Sequence, residues 1–241
     1  MKRGIYVGLI AVLLGVLSGC SSTPKDSAAS PATTPPATQA STPPASPATT
    51  PPAVVLPSGC KSTTAVGHSP KAVAPPSGLL KEKVTSFTLV TNCGDIKIAV
   101  DQAKAPQTIT AMTTLARAGY FDASLCHRLT TSGLYVLQCG DPTATGRGGP
   151  TFTFGDENLP SAGANNYPAG TVAMANSGPN TNGSQFFLVF ANTTLGPNYT
   201  IWGRITSGLN IVRAIAAVGV QGGGPDGPPA VKTAIEKVVV K

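Results

Sequence analysis

Histidine is scarce in this sequence, since its 241 residues include only His68 and His127. None of the five cysteines belongs to a Cys-x-x-Cys pair, the spacing typical of structural zinc ligands. These two absences argue against a zinc site, and we expect no metal or other cofactor. Charged residues make up only 11% of the chain and aromatic residues 5%. Because no basic stripe with interleaved aromatic side chains is visible, the composition does not predict a nucleic-acid-binding protein.

The sequence also lacks an apolar run long enough for a transmembrane helix, which takes about 20 residues. The run over residues 5–17 is shorter, follows a positively charged start at Lys2-Arg3 and precedes Ser18-Gly19-Cys20. This arrangement resembles a bacterial lipoprotein signal. We therefore expect residues 1–19 to be a cleaved signal peptide rather than a retained helix, and Cys20 to carry palmitate-type acyl chains. The mature protein is then expected to be lipid-anchored at the extracytoplasmic face of the cell membrane.

Residues 20–83 are rich in proline, alanine, serine and threonine, most densely over residues 31–36 and 43–47. Such a segment buries too little apolar surface to offset the entropy of ordering its backbone. We predict a disordered, semi-rigid tether, with a proline-rich ligand or an O-glycosylated segment as the alternatives. The chain has a formal net charge of +7, whereas residues 84–241 hold ten basic and eight acidic side chains. Residues 84–241 are therefore close to neutral.

Four cysteines remain besides Cys20, and in an exported protein we expect them to form disulfides. Four cysteines allow three connectivities. We favour Cys126 with Cys139, because both lie in short runs that predict neighbouring strands. Cys60 with Cys93 then joins the end of the tether to the first hairpin.

Residues 84–241 predict a mainly β domain with two helices. Phe87 and Leu89 alternate with polar residues, a turn follows at residues 92–95, and the alternation resumes, which is typical of a hairpin. An amphipathic helix is predicted to begin at Pro106 and to stop before Gly119. Further strands are predicted at residues 134–137, 151–154, 170–175, 185–190, 199–205 and 236–240, with a second helix at 210–218. This order favours a closed antiparallel barrel capped by helices.

One stretch carries a family resemblance. Met174-Ala175-Asn176, a Gly/Asn loop and then Gly183-Ser184-Gln185-Phe186-Phe187 are similar to the central motif of cyclophilins, which are peptidyl-prolyl cis-trans isomerases. The resemblance extends over residues 84–241. It implies a closed, eight-stranded antiparallel cyclophilin-like barrel capped by two α-helices.

The run Cys126-His127-Arg128-Leu129 resembles the Phe-His-Arg strand of that family. The resemblance implies that Arg128 is the catalytic cation, whereas the alternative for a lone arginine is a surface ion pair. His127 should point to the opposite face of the strand and is expected to be structural. The same alternation argues against a thiol hydrolase that pairs Cys126 with His127.

The resemblance also implies a substrate groove. Its predicted binding residues are Tyr135, Val136, Gln138, Ala175, Asn176, Ser177, Gln185, Phe187, Leu195 and Tyr199. The pair Tyr135-Val136 stands where the family usually has Phe-Met, so both residues are interpreted either as pocket wall or as barrel core. No tryptophan precedes Leu195, and the resemblance therefore implies weak cyclosporin binding.

These features predict a monomeric isomerase that rotates Xaa-Pro bonds in proline-containing peptides and unfolded exported proteins. Rotation about a prolyl amide requires no nucleophile, metal or redox cofactor. A non-catalytic module of the same fold, which binds proline peptides or acts as a chaperone, is the alternative. A third possibility is a structural surface lipoprotein, in which the groove residues are dispensable.

Overall fold

The computed structural model describes residues 55–241, which form one antiparallel sheet with two helices. In chain order the elements are β1 (Ser86–Thr91), β2 (Gly94–Val100), α1 (Pro106–Arg117), β3 (Ser124–Leu125), β4 (Arg128–Ser132), β5 (Leu134–Cys139), β6 (Thr171–Met174), β7 (Phe186–Val189), β8 (Ile201–Ser207), α2 (Leu209–Val218), β9 (Asp226–Gly227) and β10 (Ala234–Val240). Within residues 55–241, no helix has the length and apolar character needed to cross a membrane.

The strand order is β3-β10-β1-β2-β8-β6-β7-β5-β4-β9. Eight longer strands therefore stand between two edge strands of two residues each. The mainly β architecture with two helices is confirmed. Closure of the sheet into an eight-stranded barrel stays a prediction, because the ladders described for residues 55–241 do not join β3 to β9.

The hairpin of β1 and β2 illustrates how alternation builds the core. Phe87 pairs with Ile98 and Leu89 pairs with Ile96, and all four side chains are buried. Because successive residues of a strand face opposite sides, these apolar residues reach one face together. The predicted strand at residues 151–154 is wrong, however, since only Phe154 forms a bridge there, with Asn182.

Helix α1 places Pro106 in its first turn and buries Ile109, Met112 and Leu115 against the sheet core. No side chain of its own N-cap residue bonds to the first turn. Instead, the carboxylate of Glu157 accepts hydrogen bonds from the backbone N–H groups of residues 107 and 108, at 2.9 Å each. A distant loop therefore caps this helix.

Residues 55–83 contain no helix or strand, but they lie along the domain. A disulfide joins Cys60 to Cys93, the N–H of His68 donates to Pro142 O (2.8 Å), and the N–H of Leu80 donates to the Thr110 hydroxyl (3.1 Å). A second disulfide joins Cys126 to Cys139. These are the two pairs that the sequence analysis favours.

Residues 1–54 are outside the described part of the chain. The predicted signal peptide, the lipidation site Cys20 and most of the predicted tether fall there.

Candidate active site

Two adjoining pockets meet at Gln138 of β5, which lines both. The smaller, which we call the strand pocket, has a volume of ≈ 160 Å³ and is lined by Arg128, Leu134, Val136, Gln138, Ala175, Asn176, Phe187, Leu195 and Tyr199. The larger, which we call the loop pocket, has a volume of ≈ 360 Å³ and is lined by residues 146–150, 152, 153, 175–177, 181 and 183–185 together with Gln138. The two pockets share Gln138, Ala175 and Asn176.

The apolar wall of the strand pocket is part of a small buried cluster. Val136 and Phe187 are only 2% and 4% exposed, and they pack with Tyr167, which is fully buried. The rings of Phe187 and Tyr199 meet edge to face, with centroids 5.6 Å apart. Aromatic pairs in this geometry stabilise each other beyond simple area burial. The pocket wall is therefore fixed by packing.

Tyr167 also holds the backbone of Tyr199. Its hydroxyl donates to Tyr199 O and accepts from Tyr199 N, both at 3.1 Å. Burial raises the pKa of Tyr167 to about 12, so the hydroxyl stays protonated and can donate at neutral pH. One buried phenol therefore fixes the segment that supplies a pocket wall.

The cation of the strand pocket is Arg128 at the start of β4. Its Nε donates to Asp226 Oδ1 (2.7 Å) and its Nη2 donates to Asp226 Oδ2 (2.6 Å). Both side chains remain partly exposed, Arg128 by 40% and Asp226 by 50%. The hydrogen bonds from Arg128 hold the pKa of Asp226 below its usual range, so the carboxylate is ionised at neutral pH. The surface ion pair considered for Arg128 is therefore present, and Arg128 nevertheless lines the pocket.

A chain of amides connects the two pockets. Gln138, which lies opposite Arg128 in the β4–β5 ladder, donates to Gln185 Oε1 (2.8 Å). Gln185 in turn donates to Gly148 O (2.9 Å) in the loop pocket. Asn176 donates from Nδ2 to Asn198 O (2.8 Å). Polar groups that line both pockets are thus held by bonds to different segments of the chain.

The loop pocket is organised by Asp141, which is fully buried. Its carboxylate accepts hydrogen bonds from the N–H groups of Thr143, Thr145, Gly146 and Gly148, at 2.8 to 3.1 Å, and from the hydroxyls of both threonines. Burial alone would raise the pKa of Asp141, but the hydrogen bonds outweigh burial and lower the pKa. The carboxylate is therefore ionised, and it defines the path of the loop.

A family model described as cyclophilin type peptidyl-prolyl cis-trans isomerase/CLD matches residues 86–240, which include both pockets. This chain belongs to the cyclophilin family.

Similar cyclophilins come from bacteria and fungi. The probable peptidyl-prolyl cis-trans isomerase B of Mycobacterium leprae is 42% identical over 193 residues, which cover 74% of this chain and 65% of that protein. The protein of the same name from Mycobacterium tuberculosis is 44% identical over 166 residues, which cover 64% of this chain and 54% of that protein. The chain therefore spans less than two thirds of these two relatives. Peptidyl-prolyl cis-trans isomerase-like 1 of Gibberella zeae is 41% identical over 138 residues, which cover 56% of this chain and 83% of that protein.

Two crystal structures of a cyclophilin type isomerase from Cryptosporidium parvum resemble this chain. Each has a TM-score of 0.57 and 26% sequence identity. The first covers 66% of this chain and 98% of that chain. The second, determined in the presence of the dipeptide Ala-Pro, covers 65% of this chain and 99% of that chain. The cyclophilin fold of the chain agrees with both.

The structure brings most of the predicted groove residues of this cyclophilin together, but not Tyr135. Val136, Gln138 and Phe187 line the strand pocket, and Ser177 and Gln185 line the loop pocket. Tyr135 instead packs edge-on against Phe190, with ring centroids 5.9 Å apart. Because side chains alternate along β5, residue 135 cannot share a face with residues 136 and 138. Leu134, which was not predicted, lines the pocket in its place.

His127 is half-buried beside Gly146 of the loop pocket, and both ring nitrogens lack a hydrogen-bond partner among residues 55–241. Burial lowers the pKa of His127, so its ring is neutral at pH 7. The adjacent Cys126 is in a disulfide and cannot act as a thiol. The structure therefore excludes a Cys126–His127 dyad.

Three residues that line or support the strand pocket were not predicted from the sequence: Tyr167, Asp226 and Leu134. Tyr167 and Asp226 act on residues 32 and 98 positions away in the chain. No local pattern marks such contacts. Only the position of Leu134 follows from a pattern, since it alternates with Val136 and Gln138.

Proposed function

We propose that this cyclophilin is a peptidyl-prolyl cis-trans isomerase that rotates Xaa-Pro bonds in exported proteins. The observation that carries the proposal is one pocket in which a guanidinium, a glutamine amide and an aromatic wall face the same space, namely Arg128, Gln138 and Phe187. The relatives named as peptidyl-prolyl isomerases support the activity. The Cryptosporidium protein crystallised with Ala-Pro supports proline-containing peptides as the substrate class.

The chemistry requires the prolyl amide to lose its resonance. The barrier to this rotation is about 18–20 kcal/mol. An apolar wall at Phe187 binds the proline ring, and Gln138 and Asn176 bond the flanking backbone. Arg128 donates hydrogen bonds to the prolyl carbonyl oxygen and stabilises the twisted amide more than the planar one. Interactions that are stronger in the transition state are the ones that accelerate the step.

The test compares the purified full chain with Arg128→Ala in cis-trans exchange of a proline tetrapeptide. We expect kcat/KM to fall about 100-fold, the usual cost of one electrostatic donor in a transition state. Arg117→Ala is the matched control, because Arg117 is also an exposed arginine in an ion pair, with Glu82. The proposal fails if the wild-type chain does not accelerate exchange. If wild type accelerates exchange and Arg128→Ala does so at the same rate, only the role of Arg128 is contradicted and the isomerase function stands.

A second candidate is a binding module or chaperone without turnover. It is favoured by the engagement of Arg128 with Asp226, which already occupies two of the guanidinium donors. In that case the wild-type chain binds proline peptides but does not change their exchange rate. Titration of one peptide followed by both binding and exchange separates the two functions. If Arg128→Ala and Phe187→Ala bind as wild type does, the groove is dispensable and a structural lipoprotein is favoured instead.

Membrane anchoring through Cys20 is part of the proposal. Its support is the lipoprotein-like sequence before Cys20 and the pairing of all four other cysteines in disulfides, which persist in oxidising, extracytoplasmic compartments. Mass spectrometry of the mature N-terminus should find acyl chains on Cys20. A Cys20→Ala chain recovered in the membrane fraction to the same extent as wild type would contradict the anchor.

We also infer that the sheet closes into a barrel. Residues 124–125 pair with β10, and residues 128–132, only a few positions further on, pair with β5 near the other end of the strand order. One continuous segment therefore connects both ends of the sheet.

Weak cyclosporin binding also stays a proposal. Its support is the position of the chain's one tryptophan, Trp202, which is fully buried and packs edge-on against Phe87 and Phe186. It therefore cannot serve as a pocket wall. A tight complex measured by calorimetry would contradict the proposal.

A further inference from the structure

Asp226 is carried by a turn whose backbone is bound to β4, the strand that also carries Arg128. Val220 forms a bridge with Pro229, and the N–H of Gln221 donates to Pro228 O (2.8 Å). Asp226 itself pairs with Thr130 in the β4–β9 ladder. Antiparallel ladders fix the strand separation and the direction of each side chain. The carboxylate of Asp226 is thus held relative to β4 by backbone bonds.

The side-chain contact is a two-point fork. A guanidinium has five N–H donors in one plane, and the bonds to Asp226 use one on Nε and one on Nη2. Three donors remain, two of them on Nη1. Bidentate arginine–carboxylate pairs fix the plane of the guanidinium as well as its position. Arg128 is therefore oriented while its other edge stays available to a ligand in the strand pocket.

The ion pair of Arg128 with Asp226 is expected to contribute little to the free energy of unfolding. Both side chains are partly exposed, and exposed ion pairs contribute little to folding. An arginine side chain at a pocket rim otherwise samples many rotamers, and fixing it costs conformational entropy. A fork that fixes the side chain before substrate arrives removes that cost from the catalytic step.

We propose, on the basis of the proposed isomerase function, that Asp226 is a positioning residue: it holds the Arg128 guanidinium with Nη1 directed to the prolyl carbonyl oxygen. The carboxylate also cancels part of the positive charge of the pocket. This reduction of the positive charge weakens the attraction for the substrate only slightly, because water and salt screen the charges of a partly exposed pair. The contact hydrogen bonds, which depend on orientation, outweigh it.

The test measures kcat and KM for a proline tetrapeptide with Asp226→Ala, Asp226→Asn and Asp226→Glu in the full chain. We expect Asp226→Ala to lose about tenfold in kcat with KM changed less than about twofold, which is below the roughly 100-fold cost of a 1 Å misplacement. Glutamate keeps the fork and should recover most of the rate. The kcat of Asp226→Asn, whose amide oxygen accepts only one of the two bonds, should lie between the values of Asp226→Ala and wild type. If Asp226→Ala does not fold, Asp226→Asn replaces it in the comparison.

Two controls separate positioning from structure. Asp101→Ala removes another partly exposed aspartate in an ion pair, with Lys104, and should leave kcat unchanged. In an Arg128→Ala background, Asp226→Ala should have no further effect, because there is no guanidinium left to orient.

The outcomes are distinct. If wild type catalyses exchange but Asp226→Ala matches or exceeds it, the positioning role is overturned and the proposed function stands. An equal loss from Asp226→Ala with and without Arg128 also overturns it. If wild type does not catalyse exchange, the proposed function itself fails, and the positioning role fails with it.

Discussion

The strand pocket and the loop pocket differ in what holds their walls. The strand pocket is built on β4, β5 and β7, and its apolar wall belongs to a buried cluster around Phe187. One side of the loop pocket is residues 146–150, which form no regular element and depend on hydrogen bonds to Asp141. Paired strands hold side chains more precisely than a loop does. The strand pocket is therefore held by strand ladders and packing, whereas the loop of its neighbour is held by one carboxylate.

The largest expected difference between the pockets comes from truncating a phenylalanine in each. Phe187→Ala should lower the free energy of unfolding by about 3–5 kcal/mol, because the side chain is 4% exposed and its removal leaves a cavity. Phe152→Ala, in the loop pocket, should cost about 1 kcal/mol, since Phe152 is only half-buried. Urea unfolding measures both. Equal losses would show that the two walls are equally packed and would remove the basis of the comparison.

Removing the disulfide next to the strand pocket should have the next largest effect. Cys126 and Cys139 are 13 positions apart, and Arg128 and Gln138 face each other between them in the ladder. Cys126→Ala with Cys139→Ala should cost about 3 kcal/mol of stability, the usual effect for a loop of this length. It should also lower kcat, because the strands that hold both polar groups are less constrained.

The matched control is Cys60→Ala with Cys93→Ala. That disulfide joins the segment before β1 to the turn between β1 and β2. It should lower the unfolding free energy but leave kcat unchanged. A fall in kcat of the same size in both double variants would mean that the disulfide near Arg128 has no specific relation to the pocket.

Asp141→Asn tests the loop pocket and should cost about 2 kcal/mol, because an amide cannot replace a buried carboxylate that accepts several hydrogen bonds. KM should rise for long peptides that reach the loop pocket, with kcat for short proline peptides unchanged. The pKa of Asp141 is lowered on folding. Its contribution to stability is therefore complete above the unfolded-state pKa of about 3.9, and it is lost as pH falls through the lower folded-state pKa.

The asparagine variant should lack this acid-dependent part of stability. Its unfolding free energy should change less than that of wild type as pH is lowered through the acid range. A parallel pH dependence in both proteins would contradict the assigned role of the carboxylate.

The part of the fold that sequence could predict is local. Alternation at Phe87 and Leu89 predicted the β1–β2 hairpin, and the three- and four-residue spacing of Ile109, Met112 and Leu115 predicted α1. Each of these patterns lies within one element or between neighbours in the chain. Local periodicity carries this information because it reflects which face of one element is buried.

Contacts between distant segments were the part that sequence could not predict. The sequence offered a surface ion pair or a catalytic role for Arg128 as alternatives, and the structure shows that the pair with Asp226 and the position in the pocket coexist. The partners are 98 positions apart, and any exposed aspartate is an equal candidate from sequence alone. Tyr135 is a different case, because strict alternation from Gln138 places Leu134 and Val136, not Tyr135, on the pocket face.

The smallest expected effect comes from Glu157, which lines neither pocket. Its carboxylate accepts hydrogen bonds from N–H groups in the first turn of α1, and the side chain of the N-cap residue makes no such bond. Glu157→Ala should cost about 1 kcal/mol, the typical value of a lost helix cap, while Glu157→Gln, which keeps an acceptor but loses the charge near the helix N-terminus, should cost less. Because α1 packs on the core and lines neither pocket, kcat and KM should stay at wild-type values. Thermal unfolding and exchange kinetics on the same samples check both statements, and a changed kcat would show that the position of α1 is coupled to the strand pocket.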